Sequence, residues 1–137
     1  MLLLHILTAV VAFAPAFIHP ALAAGTKDMG DTRIPMLVKM HGALRGVYGP
    51  SLVITGILGF GLQGLSDGAW TFGQVWMILA IIIWLAMVGV VFGMFIPGEA
   101  KLAGGDDSGM DAVGRSGAIL SVLLLIMLFL MIFKPGI

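Results

Sequence analysis

Hydrophobic positions along this chain gather into four unbroken runs instead of alternating with polar ones. The runs cover about residues 2–24, 47–65, 74–97 and 116–133, and none contains Lys, Arg, Asp or Glu. About 20 apolar residues in helical form cross the hydrocarbon layer of a bilayer. Lipid offers the backbone no hydrogen-bonding partner, so a helix, which pairs its own N–H and C=O groups, is the expected conformation. A membrane strand would alternate with a period of two, and Ile78–Ala86 does not. The pattern predicts an all-α polytopic membrane protein, a four-transmembrane-helix bundle forming one domain over residues 1–137.

Charged residues fall between the runs. The first connection holds Lys27, Asp28, Asp31, Arg33, Lys39 and Arg45, and the second only Asp67. The third holds Glu99, Lys101, Asp106, Asp107, Asp111 and Arg115, and Lys134 follows the last run. Connections one and three share a side and carry six of the seven Lys/Arg. The positive-inside rule places them in the cytoplasm and both termini outside. Trp70 and Trp76 would sit in the aromatic belt of the outer interface. Within the first connection, Ile34, Leu37, Val38 and Leu44 recur at a spacing of three to four. That spacing predicts a short interfacial helix over about 34–46, capped by Asp31, opened by Pro35 and broken at Gly49-Pro50. Ala103–Gly109 has the composition of a flexible loop.

Composition narrows the class. Apolar residues make up 60% of the chain and charged residues 10%, against about 45–50% and 25% in soluble domains. The formal net charge is zero, so no global field draws a nucleic acid, and lipid is the expected partner. There is no cysteine, which excludes disulfides and thiolate metal sites. Ala21-Leu22-Ala23 resembles a signal-peptide cleavage site. No Lys or Arg precedes the first run, and His5, Pro15 and His19-Pro20 interrupt it. The first run is therefore expected to stay as a helix.

Small residues suggest the packing. Gly56, Gly59, Gly61 and Gly64 line the second run, and Gly89 and Gly93 the third. Such spacing lets membrane helices approach closely, so the second and third helices are expected to form the tight pair. Alternatively, these glycines present a docking face to another subunit. The fourth run, from Leu123 to Phe133, has no polar side chain and is expected to face lipid or a partner.

Candidate chemistry is sparse. His5 and His19 lie 14 residues apart, on one side of the first helix but roughly 21 Å apart along its axis. They cannot both ligate one haem. His19 with His41 remains open as a haem or metal pair, and Met36, Met40 and His41 form a soft cluster suited to copper. Against these stand a hydrogen-bonded imidazole and ordinary apolar filler. No run contains a carboxylate or a basic residue, which argues against a pump or a proton-coupled carrier. Ser51, Thr55 and Gln63 are the polar groups of the second run, and their hydroxyls are expected to bond back to their own helix.

Leu4-His-Ile-Leu7, Tyr48-Gly-Pro-Ser-Leu-Val-Ile-Thr-Gly56, Trp70-Thr-Phe-Gly-Gln-Val-Trp76 and Met131-Ile-Phe-Lys-Pro-Gly136 resemble a bacterial family of predicted four-helix integral membrane proteins of unknown function. That family is distantly similar to the copper-resistance protein CopD and the haem-binding oxidase HemJ. The resemblance implies the four-helix architecture and a bacterial inner membrane, with His5 matching the helix-one histidine of the HemJ-like proteins. Two readings follow. One is a non-catalytic subunit that packs against and stabilises or assembles a larger membrane complex, respiratory or photosynthetic. The other is a haem- or copper-binding redox protein of the CopD/HemJ type.

Overall fold

The computed structural model describes residues 1–136. Among them every regular element is helical. Helix α1 spans Leu2–Gly25, α2 Arg33–Ala43, α3 Gly49–Gly64, α4 Val75–Val90, α5 Ile96–Ala103 and α6 Gly109–Phe133. A π turn, Leu44–Tyr48, joins α2 to α3, and a second, Val91–Phe95, joins α4 to α5. The result is four long helices, Leu2–Asp28, Gly30–Gly64, Val75–Ala103 and Gly109–Phe133, each long and apolar enough to cross a membrane.

Four features of the helix boundaries differ from the sequence expectation. The interfacial helix expected to run into the second helix with a break at Gly49-Pro50 does run into it, but without the break, because the π turn carries the chain past that point. Asp31 does not cap it: the chain enters α2 from a 3₁₀ turn, Gly30–Thr32, and Thr32 precedes the helix without a side-chain cap. The third long helix runs past Pro97 to Ala103. Proline is tolerated in the first turn of α5, and Glu99-Ala-Lys-Leu-Ala103 are good helix formers. It stops at Gly104-Gly105, where Gly105 adopts φ +85°. The fourth long helix begins at Gly109, so Asp111 and Arg115 are helical residues.

Around the bundle the order is second, first, fourth, third: α1 packs on α3 and α6, α6 packs on α4 and α5, and α5 closes against α2. The first and third long helices are thus diagonal. The expected tight pair of helices two and three is not found. Contact between α3 and α4 is slight, because an indole fills the gap. Trp84 Nε1 donates to Leu52 O at 3.0 Å, and a side chain at Gly56 would collide with that indole. Gly59 makes room for His5 and Gly61 for Met1, while Gly89 and Gly93 have nothing within 4 Å of a would-be Cβ. The close backbone approaches lie elsewhere. A Cβ at Gly117 would come within 2.9 Å of Ala16 O and 2.6 Å of Pro20 Cγ, and one at Gly109 would strike Gly98 O. Pro20 has no N–H for the Ala16 carbonyl, and Gly117 packs against that freed oxygen.

The ends of the bundle are fixed by side-chain contacts. Arg33 Nη2 donates to Asp107 Oδ1, tying connections one and three together. At the other end Lys134 Nζ lies 4.0 Å from the centre of the Trp70 ring, and Met1 lies against Gly61. Both termini therefore share the end of the second connection. Helix α6 buries Val113, Ser116, Gly117, Leu120 and Leu130 inward and exposes Leu125, Phe129, Ile132 and Phe133 outward.

Candidate functional site

Proline creates the local structure from which the site is built. In a regular helix, Pro50 would leave the Gly46 carbonyl without its donor and press its ring against it, and Pro97 would do the same to Gly93. In both places the helix widens by a residue just upstream. The Gly49 N–H reaches back to Leu44 O and the Ile96 N–H to Val91 O, five residues instead of four. The two sequences correspond, Gly46-Val-Tyr-Gly-Pro50 and Gly93-Met-Phe-Ile-Pro97. Two residues before each proline stands an aromatic ring. Both rings converge on His19 of the first helix, edge-to-face, with centroids 5.6 Å away for Tyr48 and 6.1 Å for Phe95.

Glu99, two residues beyond Pro97, completes the cluster. His19 Nδ1 donates to Glu99 Oε1 at 2.5 Å. The histidine is 5% exposed and the glutamate 2%, so the pair is sealed inside the bundle. The second carboxylate oxygen, Oε2, is buried with no hydrogen-bond partner, and so is Nδ1 of His41. His41 lies on α2, which packs against the segment carrying Glu99, and helical spacing places it on the same face as buried Leu37 and Leu44.

The expectation that no long helix holds a carboxylate is therefore overturned. Glu99 reads as part of a connection because it follows a proline at the end of an apolar run. The helix nevertheless continues and turns it inward. Sequence reasoning also missed Tyr48 and Phe95 as companions of His19. The repeated Gly-x-aromatic-x-Pro was the available signal.

The other candidate residues do not join this cluster. His5, at the opposite end of the first helix, donates from Nδ1 to Thr55 O at 2.9 Å and rests over Gly59. Met40 is buried in the apolar core, and Met36 packs against it. Thr55 and Ser51 bond back to Ser51 O and Val47 O, and Gln63 Nε2 caps the chain at Trp70 O.

His19 and Glu99 are already bonded to each other, with two aromatic rings beside the imidazole. Among the described residues no three His, Asp or Glu side chains come together. The soft donors Met36 and Met40 lie in apolar packing. What the arrangement can do chemically is hold a proton between two groups and tie two diagonal helices. Comparison of the chain with protein families, curated proteins and solved structures finds no match.

Proposed function

We propose that this chain is a multi-pass protein of the bacterial inner membrane, acting as a non-catalytic subunit that packs against other integral membrane subunits and stabilises or assembles their complex. The supporting observation is the outward face of the third long helix. Gly89 and Gly93 are exposed there and meet no neighbour, flanked by exposed Ile82, Leu85 and Phe92. In lipid, where apolar surface alone gives no drive to associate, a small-x-x-x-small stripe is what lets a second helix come close. The bundle leaves that stripe unused. The remaining apolar girdle, including Val10, Ile57, Leu125 and Ile132, suits lipid.

Purification in a mild detergent, with native mass measurement and an absorption spectrum of the same sample, tests the reading. A partner should copurify with the wild type and be lost from Gly89→Leu/Gly93→Leu while the fold remains. A stable monomer with no partner removes the proposal's support. A Soret band, or stoichiometric copper, that disappears in His5→Ala would put the CopD/HemJ-type reading ahead instead.

A further inference from the structure

We propose that His19 and Glu99 form a proton-binding site buried inside the bundle and open to exchange only at the end of connections one and three. The first observation is the pair itself, 2.5 Å apart and almost wholly buried. The second is Glu99 Oε2, a buried carboxylate oxygen with no partner. A purely structural clamp would have both oxygens satisfied, because an unpaired buried polar atom is costly.

Charge bookkeeping identifies the ligand. With no exchangeable proton the pair carries −1, with one it is neutral, and with two it carries +1. An uncompensated charge in a low-dielectric interior is expensive. Of the groups on the packed helix α2 able to carry a countercharge, Arg33 is already paired with Asp107, and His41 keeps a buried Nδ1 without a partner. The first helix contributes His19, and the second contributes Tyr48 and, on α2, His41. The third contributes Glu99. The fourth contributes Ser116, whose hydroxyl is already committed to the Ala112 and Val113 carbonyls. Lys101, Asp111 and Arg115 are exposed to the outside. The neutral, singly protonated pair is the state the site holds, and the proton comes from and returns to water with no other bond changed.

Position sets the route. Glu99 lies four residues from the end of α5, and His19 six from the end of α1. By helical rise that is about 6–9 Å from the polar connections, with His5 and the second connection at the far end. Occupancy changes packing as well as charge. One proton lets the imidazole and carboxylate tie the diagonal helices. Removing it leaves the carboxylate's charge uncompensated, and adding another leaves the imidazolium's charge uncompensated.

Glu99 is the only glutamate of the chain, so glutamate carrying ¹³C at its side-chain carboxyl labels one site. The carbon shift of Glu99 and the imidazole ¹⁵N shifts of His19 are followed in lipid nanodiscs between about pH 4 and 10, a span covering ordinary carboxyl and imidazole titration. Both should report the same macroscopic steps, as coupled groups do, and His19→Gln should displace the Glu99 midpoint by at least tenfold in proton concentration. Glu99 and His19 signals that both stay fixed throughout overturn the proposal using the wild type alone. A midpoint unchanged in His19→Gln overturns the pairing.

Discussion

His19 Nδ1 and Glu99 Oε1 lie 2.5 Å apart although 80 positions separate them in the chain, and they meet across the diagonal of the bundle. The first and third long helices make little other contact. This bond, with Phe95 beside it, is how they recognise each other. Breaking a buried pair by removing one partner typically costs about 3–5 kcal/mol, while replacing both with apolar groups costs far less. Glu99→Leu and His19→Leu should each destabilise strongly, and the double variant should lose less than their sum. Unfolding in mixed micelles measures the cycle. A coupling of about 0.5–3 kcal/mol is expected for residues in contact, and strict additivity would show that the bond does not organise the bundle.

Gly117 should be far harder to replace than Gly114, its neighbour on the fourth helix. A Cβ there meets Ala16 O and Pro20 Cγ at 2.9 and 2.6 Å, and the carbonyl is backbone that cannot swing aside. Gly117→Val should force the first and fourth helices apart, at about 1–3 kcal/mol by the usual cost of overpacking. Gly114→Val, three residues away with nothing within 4 Å, should stay within about 0.5 kcal/mol. Thermal unfolding of the two variants side by side separates a steric effect from a general loss of helix-backbone freedom.

The difference between these glycines shows what could be read from the chain. Four helices were legible because the apolar runs are long and uncharged, a local property. Partners were not. Gly56, Gly89 and Gly117 look alike in sequence, yet one admits an indole, one faces outward and one takes a neighbouring backbone. That choice depends on how the helices are arranged around the bundle, which the spacing of small residues leaves open. His19 was legible as a candidate by residue type alone. Its true partner lay hidden because Pro97 reads as a helix end, whereas the π turn at Val91–Phe95 absorbs the proline and delivers Glu99 inward.

Acidification should loosen the start of the fourth helix. The Asp106 carboxyl accepts the Ser108 N–H at 2.9 Å. The side chain and backbone of Ser108, with some help from Lys101, hold it below its ordinary value of 3.8. A depressed carboxyl stabilises the folded form above the unfolded value, and the contribution fades as pH falls through the folded one. Near neutral pH, Asp106→Ala should therefore speed amide exchange at Ser108 and Met110 relative to wild type. Below the folded value the two proteins should exchange alike. A difference that persists unchanged into strong acid would show that the carboxylate charge is not the cause.

The C-terminal lysine sets two small energies against each other. Lys134 ends α6 in the left-handed region, at φ 42° and ψ 59°, a conformation that costs a non-glycine residue roughly 1–2 kcal/mol. Its ammonium lies 4.0 Å from the centre of the half-buried Trp70 ring and 5.7 Å from that of buried Trp76, and a cation over a ring that is not fully desolvated returns about 0.5–1 kcal/mol. Lys134→Gly removes both the strain and the cation, so its stability should change by less than about 1 kcal/mol in either direction. Lys134→Ala removes the cation but keeps the strain, and should be the less stable of the two. Unfolding midpoints of the two variants rank them. Tryptophan emission should shift in both if the ammonium does sit on the indoles, and emission unchanged in both would remove the cation from the rings and leave Lys134 as strain alone.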